Sequence, residues 1–335
     1  MHKNIVVFSD GTGQEGGKKH STNVYKLFNM VLDRSTEQVA FYDRGLGTGW
    51  RKVTGNVAGA GISENIRECY EFIFENYQSG DLVYLFGFSR GAFTVRSLSG
   101  FIEMFGILPK SRPELIKKAY RIYKMKGKKR DKKKREFLAE HHTMRCVIRF
   151  IGVWDTVGAL GVPIKAFDLI NPFKRKFHNT EMCKNVEIGC HALAIDEERK
   201  TFHPTVWDET RLGKTPDQIQ QKIKQVWFIG VHTDVGGGYE ERGISDIALE
   251  WLRREGEAAD LLIYRNHKVN PDPDANGAIH NSREKLARMY RKQARTLDER
   301  VVTTLVHQSV RDRAGKAANR YDPWILAYPH AIEPW

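Results

Sequence analysis

What this chain of 335 residues lacks narrows its possible roles before any motif is considered. It has four cysteines, Cys69, Cys146, Cys183 and Cys190, too few for a disulfide framework in a chain of this length. Cys183, Cys190 and His191 contain no C-x-x-C pair, so buried free thiols are expected there and no metal site. No apolar run approaches the roughly 20 residues needed to span a bilayer. Met1-His2-Lys3-Asn4 leads directly into the strand-like Ile5-Val6-Val7-Phe8, without the longer apolar region and small-residue cleavage site of a secretory signal. A cytoplasmic location is expected, with peripheral membrane contact or export by a signal-independent route left open.

Acidic residues are in deficit, 41 against 54 Lys and Arg, for a net charge of +13. The excess is local. Twelve Lys or Arg and one acid, Asp131, fall within residues 117–135, and subtracting that +11 from +13 leaves +2 elsewhere. The charge therefore describes one segment and not the fold.

Strand-length apolar runs alternate with helix-length amphipathic segments. This pattern predicts an α/β fold with a mostly parallel sheet flanked by helices. Strands are expected over 4–9, 38–42, 82–86, 147–153, 187–195 and 225–229, and helices over 23–32, 64–76, 91–105, 245–255 and 283–295. Residues 1–335 read as a single domain with one insertion, a basic helical segment over 112–142. In its first half Leu115, Ile116, Ala119, Tyr120 and Tyr123 recur at helical spacing. The lysines that follow form a solvated run.

Gly87-Phe88-Ser89-Arg90-Gly91 lies between an apolar strand and a helix. A serine on so sharp a turn needs small neighbours two positions away on either side, and Gly87 and Gly91 meet that need. The helix start aims backbone N–H groups at the serine, with Arg90 N–H placed for a developing oxyanion. Serine needs a base, and the base needs an acid to orient it. Asp155 follows the strand ending Gly152-Val153-Trp154, and His232 follows a later strand in Val231-His232-Thr233-Asp234. Asp196 and Asp234 compete for the acid role, and His191 and His203 for the base. The two histidines lie in or beside a strand, as satisfied core histidines do, and Asp234 suits a loop cap.

The first strand leads into Ser9-Asp10-Gly11-Thr12-Gly13, where backbone N–H groups of Gly11 or Thr12 are candidates for a second oxyanion donor. A tight turn capped by Asp10 is the alternative. A haloacid-dehalogenase nucleophile would require aspartate at Phe8. A phosphate-cradling P-loop would require glycine at Thr12. A calcium loop opening at Asp272 would require glutamate at Arg283, so a surface turn is expected there.

Together the blocks Phe8-Ser9-Asp10-Gly11-Thr12, Gly87–Ala92, Val153–Gly158 and His232–Tyr239 resemble the α/β-hydrolase family known as domain of unknown function 2235. The segments His191–Arg199 and Leu305–Val310 resemble its remaining blocks. That family includes the first class of type VI secretion lipase effectors. The resemblance implies an α/β-hydrolase fold, a catalytic Ser89, Asp155 and His232, no cofactor, and phospholipase action on the sn-1 or sn-2 ester. The basic insertion is a candidate lid. Lys117, Lys118, Arg121 and Lys124 are candidate membrane-surface contacts, with its tyrosines at the interface. A soluble small-ester esterase is one alternative. The other is a non-catalytic scaffold using the basic patch to hold nucleic acid, a weaker reading because such a scaffold has no need of serine, acid and base in order.

Overall fold

The computed structural model describes residues 2–11, 20–45, 55–158, 181–212, 219–316 and 320–335, with the backbone alone at 55–60 and 285–286. Eight strands form one sheet: β1 (Asn4–Ser9), β2 (Gln38–Asp43), β3 (Leu82–Phe88), β4 (Ile148–Trp154), β5 (Val186–Ala194), β6 (Lys222–Phe228), β7 (Leu305–His307) and β8 (Ala331–Glu333). Their spatial order is β2-β1-β3-β4-β5-β6-β7-β8, and every neighbouring pair is parallel.

Helices cover both faces, as an all-parallel sheet requires. Strand alternation divides the core: Ile5, Val7, Val83 and Leu85 join one apolar cluster, while Val6, Phe8, Tyr84 and Phe86 join the other. The first cluster is closed by α2 (Gly55–Asn76), α3 (Arg90–Phe105), α4 (Glu114–Tyr123) and α5 (Gly127–Glu140). The second is closed by α1 (Asn23–Phe28), α7 (Gly243–Glu257) and α8 (Gln308–Ala314). A short helix, α6 (His232–Gly236), follows β6.

The chain leaves β1 for β2 and then returns to the opposite side of β1 as β3. Connections therefore diverge between β1 and β3, and in open parallel sheets ligands bind outside the carboxyl ends at such a divergence. Ser89 directly follows β3 at that point, and Gly11 lies just past the end of β1.

Two sequence expectations need correction. The helix expected over 283–295 is a single 3-10 turn at Lys285–Met289. Beyond it the backbone pairs with the loop after β5 instead: Lys200 N donates to Arg291 O and Gln293 N to Glu198 O. Tertiary pairing here overrides helix propensity. The second concerns the insertion, where α4 and α5 form a hairpin against α2 and α3. Tyr120 is buried, edge-on to Phe101, and the half-buried Tyr123 donates its hydroxyl to Ser97 O at 2.9 Å. Both tyrosines face the core, so they are not the interfacial residues the sequence suggested. Ser97 lies eight residues beyond Ser89, about 12 Å along the helix axis, so the hairpin is anchored on the flank of α3. Lys117, Lys118, Arg121 and Lys124 are exposed on its outer side. Among the described residues no helix is long and apolar enough to cross a membrane.

The hairpin is pinned by Phe137, 1% exposed and edge-on to Phe105 with centroids 5.3 Å apart. Phe137→Ala should lower the unfolding free energy by roughly 3–5 kcal/mol. Lys129→Ala, on the solvated face of the same helix, should stay within about 0.5 kcal/mol. Urea unfolding of both variants measures the difference.

Candidate active site

Ser89 occupies a backbone conformation that few non-glycine residues adopt, φ 56° and ψ −116°. Its neighbours explain why the turn can be so tight. A Cβ on Gly87 would lie 2.6 Å from the Gly91 carbonyl, and one on Gly91 would lie 1.9 Å from the carbonyl oxygen of Ser9. Both contacts are with backbone that cannot move aside, so the first turn of α3 presses directly on the end of β1. Ser89 N donates to Trp154 O at 3.1 Å, which ties the turn to β4. Arg90 opens α3, so its backbone N–H lies at the helix start directly after Ser89.

Three side chains separated in sequence line up at the carboxyl edge. The Ser89 hydroxyl lies 2.8 Å from His232 Nε2, and His232 Nδ1 lies 2.6 Å from Asp155 Oδ2. His232 is held between the rings of Phe88 and Phe202, with centroids at 4.6 and 5.0 Å, and its backbone N–H donates to Glu197. Asp155 is fully buried and has a positive φ of 38°. Its Oδ1 accepts from Ala194 N at 3.1 Å. Arg295 completes its shell, donating from Nη1 to Oδ1 at 2.6 Å and from Nη2 to Oδ2 at 2.8 Å. Burial alone would push the Asp155 carboxyl up, but the Arg295 guanidinium and the His232 imidazole hold it well below the usual carboxylate range. No motif pointed to Arg295. It falls in the segment read as a helix, where a lone arginine resembles any solvated one.

The rivals have other partners. His191 Nε2 accepts from Thr156 N at 3.0 Å, and burial together with nearby Arg96 lowers its pKa to about 3, keeping it neutral. Burial also lowers His203. Asp196 accepts from Gly230 N and the Tyr321 hydroxyl. Asp234 accepts from Val231 N, the cap position of α6, and pairs with His280 Nδ1 at 2.6 Å. Asp274 accepts from Asn276 N, forming a local surface turn.

Gly11 lies at the serine, since a Cβ built on it would be 3.6 Å from Ser89 Cβ. Its amide is already engaged, donating to Asp10 Oδ1 at 2.7 Å. Asp10 Oδ2 accepts from the hydroxyls of Thr22 and Tyr42. Thr12 lies outside the described residues. Among the described residues no group of three or more His, Cys, Asp or Glu side chains could hold a metal ion. Cys69, Cys146, Cys183 and Cys190 are free thiols.

Residues 3–255 match the family described as "T6SS, Phospholipase effector Tle1-like, catalytic domain". The chain belongs to that family. A curated relative, the uncharacterized protein YEL023C of Saccharomyces cerevisiae, is 30% identical over 226 residues, 60% of this Tle1-like chain and 32% of the relative. A solved but uncharacterized protein from Pseudomonas aeruginosa is 15% identical, with a TM-score of 0.50 over 82% of this chain and 49% of its own. A Tle1 effector solved bound to the VgrG spike of the type VI secretion system aligns at 15% identity and a TM-score of 0.40, over 72% of this chain and 52% of its own. The chain thus spans about a third of its curated relative and about half of each solved structure.

Burial raises the Asp10 carboxyl to about 6, against the opposing bonds from Thr22, Tyr42 and Gly11. A folded-state pKa above the unfolded value favours the fold below about pH 4 and loses that contribution as pH rises through about 6. The contribution is on the order of 3 kcal/mol. Asp10→Asn removes this titration, so the variant should gain on the wild type by that amount between pH 4 and 7 in urea unfolding. A constant difference between them would show that Asp10 does not titrate in this range.

Proposed function

We propose that this Tle1-like chain is a serine ester hydrolase of the phospholipase type, with Ser89 as nucleophile, His232 as general base and Asp155 as orienting acid. The observation that carries the reading is the unbroken relay from Ser89 Oγ through His232 to Asp155, with bonds of 2.8 and 2.6 Å. Membership of a phospholipase effector family supports a lipid ester as substrate.

In this reading His232 Nε2 takes the Ser89 proton as Oγ attacks the ester carbonyl. Asp155 stabilises the imidazolium that forms. Arg90 N–H receives the oxyanion, and a well-aimed donor of this kind contributes on the order of 3 kcal/mol to the transition state. Gly11 N–H can join it only by exchanging its bond to Asp10. The imidazolium then protonates the leaving alcohol, and a water molecule, activated by the same histidine, releases the acyl group from Ser89.

A fluorophosphonate probe should label the protein at Ser89, as read by peptide mass spectrometry. Labelling should vanish in Ser89→Ala and fall sharply in His232→Ala, with ester turnover dropping by about 10⁴-fold or more in each. Folded protein that stays unlabelled even with detergent or anionic vesicles present would end this reading.

The basic hairpin supports a second element of the proposal, contact with an anionic lipid surface through charge and without tyrosine insertion. Each lysine near such a surface is worth about 1 kcal/mol. Reversing Lys117, Lys118, Arg121 and Lys124 to glutamate should abolish co-sedimentation with phosphatidylglycerol vesicles and leave soluble-ester turnover unchanged. Unchanged sedimentation would rule the hairpin out as the contact. Salt-sensitive RNA or DNA binding lost in the same variant, with no vesicle binding by the wild type, would assign the patch to nucleic acid.

A further inference from the structure

Arg295 belongs to the last 80 residues of the chain, beyond the 3–255 matched by the family. Its side chain nevertheless reaches the centre of the candidate site and is only 2% exposed. Both carboxylate oxygens of Asp155 accept from its fork. The same two nitrogens also donate to Ala194 O at 2.6 Å and Phe202 O at 2.7 Å, at the end of β5 and in the loop that follows it. A planar fork held at four points has one orientation, and it imposes that orientation on the carboxylate plane. Asp155 Oδ2 is thereby aimed at His232 Nδ1. We propose that Arg295 is a positioning residue of the relay, fixing the orientation of Asp155 and balancing its buried charge. The inference rests on the Ser89–His232–Asp155 reading and adds to it a fourth member from outside the matched region.

Two effects follow from placing a cation on the far side of the acid. A fully buried carboxylate without a cation would tend to take up a proton, and the guanidinium prevents this. The same fork fixes the carboxylate plane, so Asp155 Oδ2 stays directed at His232 Nδ1. Among the described residues, other charged or titratable groups near the relay include Asp10, whose Oδ1 holds Gly11 N–H beside Ser89, and Arg90, Glu197, His191 and His203. Glu197, on the backbone side of His232, is engaged by Arg199 with bonds of 2.8 Å. His191 and His203 are pushed toward neutrality by burial, and buried Arg96 lies near His191.

The test is kcat/KM against pH on p-nitrophenyl butyrate for wild type, Arg295→Gln and Arg295→Lys, with fluorophosphonate labelling of the wild type as control. In Arg295→Gln, kcat should fall about a hundredfold with little change in KM. The acid limb of its profile should move up by about one pH unit, because Asp155 without its cation takes up a proton more readily. Arg295→Lys keeps the charge without the fork, so its limb should stay near wild type while kcat is partly lost. Should Arg295→Gln fail to fold, the lysine variant and an Arg295→Ala variant given roughly 20 mM guanidinium decide the matter. Guanidinium should restore at least tenfold of the lost rate. A wild type that labels at Ser89, together with variants whose acid limb does not move and whose rate guanidinium does not rescue, overturns the role of Arg295 and spares the hydrolase reading. A wild type that does not label overturns both.

Discussion

A carboxylate buried with no exposed surface is the constraint around which this edge of the molecule is built. Asp155 cannot remain charged in that position unless several groups converge on it. Those groups come from across the chain: Ala194 N from β5, the His232 imidazole from the helix after β6, and the Arg295 fork from the segment between α7 and β7. Each arrives because a strand ends, or a loop crosses, at the carboxyl edge of one parallel sheet. The pairing therefore binds together elements that share no sequence neighbourhood. It also makes the segment beyond the matched region part of the same unit, since that segment supplies both Arg295 and the last two strands.

The same edge holds backbone strain. Ser89 and Asp155 are two of the four non-glycine residues with positive φ among the described residues, and both belong to the relay. Strain of this kind persists only where the surroundings fix it. For Ser89 the fixing comes from the α3–β1 contact, where Gly91 stands against the Ser9 carbonyl, and from the bond to Trp154 O. For Asp155 it comes from its N–H donating to Ala192 O and from the four-point grip of Arg295 on and around its carboxylate. Rigid support on both sides brings the serine hydroxyl and His232 Nε2 to 2.8 Å.

The parts of this site legible in the sequence are those whose chemistry is local. The elbow declares itself because the glycines two residues on either side of Ser89 answer a steric demand within five residues. Asp155 and His232 stand out because each ends an apolar run long enough to read as a strand. Arg295 is not legible, because nothing near it in sequence distinguishes a buried guanidinium from an exposed one, and its partners lie 93 to 140 residues away. Strands β7 and β8 escape for a related reason: three residues carry no measurable alternation. The basic insertion was visible as helix and as charge. Which side of α4 would be buried was visible as well, yet what that side packs against was not, so the tyrosines read as interfacial.

Charge serves two separate purposes in this molecule, and distance keeps them apart. At the relay, Asp155, Arg295 and His232 interact in a dry interior where each pairing is strong and unscreened. On the hairpin the lysines stand in solvent, where pairs such as Lys133 with Glu136 add little to stability. The hairpin is anchored at Ser97, about 12 Å down α3 from the serine. That exceeds the screening length of about 8 Å at physiological salt. A solvated cluster of +11 therefore adds little to the stability of the fold, while the buried charges fix the geometry of the relay.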